Sequence, residues 1–279
     1  MTAYMDHKDL SNETIDAARA RAIGDGVRRT LERIADAAVA AGRDPSTVRL
    51  LAATKTRDVG EIMAAIDAGV RMIGENRPQE IVAKADGLTR LCAERGYVLG
   101  ATGATGVSEG VAGDTRAPHI PLHLIGQLQS NKIGKVLPAA DVIESVDSIE
   151  LAERIARRAA ARGVRVGVML EVNESGEASK SGCAPQDALD LAGRIGALDG
   201  LDLCGLMTIG AHVDDERAIR AGFAHLRRTR ERIVASGMPG TARCAELSMG
   251  MSGDLAAAIA EGATIVRVGT GIFGGRAFI

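Results

Sequence analysis

Only six of the 34 lysine and arginine residues are lysines, and one of them, Lys55, follows directly on the apolar run VRLLAAT (48–54). A primary amine can form a Schiff base with an aldehyde and a guanidinium cannot, so Lys55 is a candidate anchor for an aldehyde cofactor. The plainer alternative is a solvated lysine at a strand exit. Two later segments point to an anion. The run 244–248 ends in Ser248 and continues through Met249, Gly250, Met251 and Ser252; the run 264–269 carries Arg267 and Gly269 and continues through Thr270 and Gly271. Small and hydroxyl-bearing residues let backbone N–H groups approach a phosphate closely, which implies a phosphorylated ligand.

The remaining apolar runs end in amides and hydroxyls: Gly74, Glu75 and Asn76; Gly126 and QLQSNK; Asn173 and, further on, SKSG (179–182); Met207 and Thr208. Such groups suit a polar heteroaromatic ligand, yet loops are polar in any protein. Residues 269–274 spell G-x-G-x-x-G, but with no following helix expected and no βαβ unit the dinucleotide reading fails. His119 and His123 flank Pro121 at a strand entrance without a matching Glu or Cys, which argues against a metal. The acidic cluster Asp214, Asp215 and Glu216 is read as complementing a helix dipole.

Eight short apolar runs could deliver these residues: 48–54, 70–74, 121–125, 141–145, 166–172, 201–207, 244–248 and 264–269. Near-continuous apolar strands separated by helical stretches such as SIELAERIARRAAARG describe a parallel sheet covered by helices. Eight units favour a closed (β/α)8 TIM barrel, whose reactive groups follow the strand ends; a doubly wound open sheet is the structural alternative. The reading places a polar N-terminal tail at 1–11, then one barrel over 12–279. An amphipathic helix is expected over 12–41, covering one end of the barrel, and 96–118, rich in Gly, Ala and Thr, reads as a flexible surface insertion.

Composition narrows the function. At 279 residues the chain lies in the range of about 200–400 that one such barrel occupies. A net charge of −2 leaves no electrostatic footprint for nucleic acid or an anionic membrane. The four cysteines are widely spaced and read as reduced thiols, and neither a signal segment nor a long apolar stretch is evident, so a cytoplasmic protein is expected.

The runs ATKT around Lys55, GENRPQE (74–80), HLIGQLQSNK (123–132), SKSG, GLM (205–207), ELSMGMSGD (246–254) and VRVGTGIFGGR (266–276) resemble the pyridoxal 5′-phosphate (PLP) homeostasis family, the YggS/PROSC type. The resemblance spans nearly the whole chain. It implies the PLP barrel also seen in the N-terminal domain of alanine racemase, and a monomer that holds PLP and passes it to apo-enzymes without substrate turnover. Lys55 would carry PLP as a Schiff base, Asn76 would lie near the phenolic oxygen and Met207 near the ring. Ser248, Gly269 and Thr270 would bind phosphate, with Met249 and Ser252 shaping that loop. Arg267 would face the pyridine nitrogen and leave it unprotonated, which disfavours deep carbanion chemistry. A racemase of this fold needs a second base, and neither Tyr4 nor Tyr97 is a convincing one; a slow amino-acid racemase is the alternative function.

Overall fold

A computed structural model describes residues 9–101, 117–177, 181–211, 213 and 215–275. Its strands are β1 (Arg49–Ala53), β2 (Ile73–Glu75), β3 (Val98–Leu99), β4 (His119–Ile120), β5 (Leu122–Leu124), β6 (Val142–Val146), β7 (Val166–Glu171), β8 (Leu201–Met207), β9 (Glu246–Ser248) and β10 (Ile265–Val268). Eight of them close a barrel in the order β1-β10-β9-β8-β7-β6-β5-β2, and every neighbouring pair is parallel. The eight apolar runs correspond to these eight strands, and the open-sheet alternative is excluded.

Parallel neighbours need a crossover between them, supplied here by helices. After α1 (Ala17–Ala40) come α2 (Val59–Asp67), α3 (Pro78–Glu94), α4 (Ile133–Val136), α5 (Ile149–Ala160), α6 (Ala188–Gly196), α7 (Glu216–Ala235), α8 (Leu255–Ala260) and α9 (Thr270–Phe273). No described helix is long and apolar enough to cross a membrane. At α7, Asp215 accepts from the Arg217 N–H and Glu216 lies in the first turn, in keeping with the helix-dipole reading; Asp214 lies outside the described residues.

The structure corrects four expectations. The first helix begins at Ala17 rather than residue 12: Asn12 closes a tight turn with Thr14, and the Asp16 carboxylate accepts from the Arg19 N–H, a capping bond that fixes the start. This helix does not cover an end of the barrel. It packs on α2, α8 and α9, over the seam between β10 and β1. It thereby fills the outer position that the single turn of α9 leaves short, and the missing side chain of Gly26 lets it approach the Ile272 carbonyl. The segment 96–118 is not uniformly a loop, because Val98 pairs with His119 and Leu99 with Ile120 in a small parallel sheet at the N-terminal side of β5. The rest of that insertion, 102–116, lies outside the described residues. Finally, a helix does follow the first glycine of 269–274, although α9 is one turn long and too short for the dinucleotide fold.

Most buried side chains pack between strands and helices, and a smaller apolar cluster fills the barrel itself: Leu51, Met72, Met169, Met207 and Ile265. Side chains alternate along a strand, so the next inward positions toward the strand exits are two residues on. These positions are polar. Glu144 follows Val142, Glu171 follows Met169 and Arg267 follows Ile265; with His123 and Ser248 they are all buried. Glu144 accepts from His123 Nδ1 at 2.6 Å and from the Ser248 hydroxyl at 2.6 Å. Arg267 donates to Ser248 Oγ at 2.8 Å and to the Thr208 carbonyl at 2.7 Å.

The two carboxylates of this layer differ. Burial raises Glu144, but His123, Arg267 and Ser248 outweigh it and hold the group below its ordinary range. Burial and then Asp147 push Glu171 up to about 7, against the pull of Arg267. A carboxyl raised on folding keeps its proton where the unfolded chain has released it, so its stabilisation is complete below about 4.5 and lost as pH rises through about 7. Glu171→Gln is expected to narrow the difference in unfolding free energy between pH 5 and pH 8 by up to about 3 kcal/mol, read by urea denaturation of ligand-free protein at both pH values.

Candidate functional site

The open end of the barrel is the face where the strands exit, and β1 presents Lys55 there. Inward parity runs through Leu51 and Ala53, and Lys55 follows, half-buried, in the turn that ends the strand. The β1–β10 register pairs Leu51 with Arg267 and Ala52 with Val268, so the Lys55 turn emerges beside Gly269 and Thr270. Ser252, from the β9 exit, closes on the same place, where its hydroxyl accepts from the Gly271 N–H at 3.4 Å. At the β2 exit Asn76 is half-buried, and Gly126 makes room for it: a Cβ there would lie 2.7 Å from Asn76 Oδ1.

The Lys55 turn is held from behind. Lys84, on the inner face of α3, is 1% exposed, and its ammonium donates to Glu75 Oε1 at 2.8 Å, Glu80 Oε2 at 3.2 Å and the Thr54 carbonyl at 3.1 Å. The Thr54 hydroxyl donates to Glu75 Oε1 at 2.6 Å. Glu80 Oε2 also accepts from the Thr56 N–H at 2.7 Å. Thr56 has φ 65°, the one non-glycine with positive φ among the described residues. A β-branched residue held there stores about 1–3 kcal/mol of strain. Burial pushes Glu75 up to about 7 against the pull of Lys84. Burial would also raise Glu80, but the Lys84 ammonium and the Thr56 N–H hold it below its ordinary value.

Five of the nine residues singled out from sequence, Lys55, Asn76, Ser252, Gly269 and Thr270, thus lie at the mouth, partly or fully accessible. Met207, Ser248 and Arg267 lie buried in the lumen, with the Ser248 hydroxyl bonded to both Glu144 and Arg267. Met249 points the other way, into the core between strands and helices. Asn173 is a loop staple that accepts from the Ser175 hydroxyl and donates to the Glu177 carbonyl. His119 and His123 serve separate partners, Asp141 and Glu144. Tyr97 packs under Arg71, which precedes β2 and so lies at the end of the barrel opposite the mouth. Tyr4, Ser179 and Lys180 lie outside the described residues.

Sequence reasoning passed over Glu144, Glu171 and His123 as members of the lumen network, and Lys84 and Glu80 as supports of the Lys55 turn. A signal existed for each. Glu144 and Glu171 are charges at inward parity inside apolar runs, and Lys84 interrupts the stripe of Ile81 and Leu88 on the buried face of α3.

Comparison with known proteins bears on the family and the fold. The family model for the alanine racemase N-terminal domain matches residues 32–277. A pyridoxal phosphate homeostasis protein from Pseudomonas aeruginosa is 39% identical over 256 residues, 91% of this chain and 96% of that one. Its namesake from Escherichia coli K12 is 33% identical, over 91% of this chain and 97% of its own. Among solved structures, a protein of Bifidobacterium adolescentis described only as unknown is 69% identical, with a TM-score of 0.89, and covers 95% of this chain and all of its own. PipY of Synechococcus elongatus, solved with PLP bound, is 33% identical with a TM-score of 0.67, covering 86% of this chain and all of its own. Alanine racemase of Clostridium difficile, at 15% identity and a TM-score of 0.62, shares the fold alone. This chain therefore belongs to the alanine racemase N-terminal domain family and, within it, to the pyridoxal phosphate homeostasis proteins.

Proposed function

We propose that this chain holds PLP at the barrel mouth, covalently carried by the Lys55 amine, and serves as a PLP carrier or buffer that passes the cofactor to apo-enzymes without turning over a substrate. The observation that carries the reading is the meeting of a primary amine with a glycine- and hydroxyl-rich pair of loops at adjacent strand exits. The relatives named for PLP homeostasis and the PLP-bound PipY structure support it.

The residues present fit the group. Bound PLP supplies an aldehyde for capture by an amine and a ring whose electron demand follows the protonation of its nitrogen. Lys55 would provide the amine and Asn76 an amide beside the phenolic oxygen. Gly269 and Thr270 would meet the phosphate together with Ser252, which takes the role expected of Ser248 because the Ser248 hydroxyl is buried between Glu144 and Arg267; the buried Met249 lies behind the loop. Met207 would border the ring from the lumen.

Arg267 would face the ring nitrogen. Its guanidinium is fixed by Ser248 and Thr208 and stays charged, so it donates and does not deliver a proton. That limits electron withdrawal and supports carriage over turnover. Among the described residues no tyrosine lies at the mouth to serve as a second base.

Three outcomes are expected. Purified protein mixed with PLP develops a visible absorption band fixed by borohydride, and Lys55→Ala does not; a wild type that stays colourless with added PLP overturns the reading. Ser252→Ala weakens PLP binding by about tenfold, the worth of one hydrogen bond to a charged group, and weakens binding of phosphate-free pyridoxal by less than about twofold. Incubation of the PLP-loaded protein with a panel of amino acids in heavy water leaves the α-hydrogen in place by proton NMR, whereas sustained exchange would establish an enzyme.

A further inference from the structure

We infer that Glu75, Glu80 and Lys84 are positioning residues that set the Lys55 amine by clamping both residues beside it, a role that rests on the PLP reading of the same site. The clamp reaches Lys55 from each side. Lys84 holds the Thr54 carbonyl and Glu75 holds the Thr54 hydroxyl; Glu80 holds the Thr56 N–H. The ammonium in turn joins the two carboxylates, so the flanks of Lys55 are tied to one buried unit carried on β2 and α3.

Stability alone does not account for this unit. Charges in a dry interior stabilise a fold less than apolar side chains of similar volume, because desolvation offsets their attraction. The helix already buries Ile81, Leu88 and Cys92 on the same face. What the charged groups add is direction. A threonine at φ 65° leaves that conformation unless the surroundings fix it, and two bonds hold it: the turn bond from the Arg57 N–H to the Thr54 carbonyl at 3.0 Å, and the bond from its own N–H to Glu80. Releasing the Glu80 bond leaves the strained Thr56 held by the turn bond alone, so the turn shifts toward negative φ and the lysine between Thr54 and Thr56 loses its fixed placement. The ligand-holding loops at 252 and 269–271 belong to other strands and stay as they are.

The test separates amine placement from ligand pocket. PLP needs the Lys55 amine, whereas pyridoxamine 5′-phosphate has no aldehyde and uses the pocket alone. Wild type, Glu80→Ala, Glu80→Gln and the double variant Glu80→Ala/Thr56→Gly are titrated with both, with borohydride trapping and peptide mass mapping to count labelled Lys55. Circular dichroism checks folding. Glu80→Ala is expected to raise half-saturation of Lys55 labelling about tenfold (~1.4 kcal/mol) while pyridoxamine phosphate affinity stays within about twofold. Glu80→Gln, which keeps an acceptor for the Thr56 N–H, labels like wild type. Glycine adopts positive φ without strain, so the double variant regains labelling to within about threefold of wild type.

Should Glu80→Ala not fold, Glu80→Met/Lys84→Met removes the ammonium together with its carboxylate partner and carries the same expectation. Folded Glu80→Ala that labels normally, equal losses for both ligands, or a double variant that regains nothing each overturns the inference. A wild type that is never labelled overturns the PLP reading itself, and this inference with it.

Discussion

Pairing of β1 with β10 is the contact on which the site depends. It joins two strands far apart in sequence, and because they run parallel their exits emerge side by side on one face. The register then decides which residues meet. With Leu51 opposite Arg267, the lysine turn stands next to the glycine-rich turn, and the arginine lies one layer beneath. A slip of one residue would reverse the inward and outward faces of a strand, sending Arg267 into the helix layer and Val268 into the lumen. The contacts of α1 with α2 and α9 across this seam therefore hold the arrangement of the strand exits as much as the fold.

The lumen shows how environment separates identical side chains. Glu144 has three partners at close range and remains a charged acceptor, whereas Glu171 has a like-charged neighbour in Asp147 and a raised proton affinity. Arg267 is buried, and burial pulls its proton affinity down from the ordinary guanidinium value while Glu144 opposes that pull. An arginine starts from so high a value that it keeps its charge, which a lysine in the same surroundings would not be sure to do. The result is a fixed cation beneath the half-buried Lys55 turn.

Much of this was legible in the sequence. Eight apolar runs with helical spacers gave the barrel, since a strand covered on both faces must be apolar throughout. Lys55, Ser252, Gly269 and Thr270 stood out because strand exits are where such barrels place chemistry. The missed features are tertiary. The β3–β4 pair is two residues per strand, too short for any periodicity to register. The start of α1 turned on one capping bond at Asp16, and the outward turn of Met249 on where β9 ends. Lys84 reads as an ordinary helical lysine until α3 is laid against β1 and β2, because its acceptors include the Thr54 carbonyl, thirty residues earlier.

The placement of α1 also bears on how the molecule is assembled. The helix is synthesised before any barrel strand, yet two of its packing partners, α8 and α9, are made of residues 255–273. Its apolar stripe of Ile23, Val27 and Ile34 can therefore be covered only in part, by α2, while the intervening barrel is translated. Contacts of such long sequence separation form late and slowly. Closure of the ring by its earliest helix makes completion of the barrel and burial of that stripe a single final event.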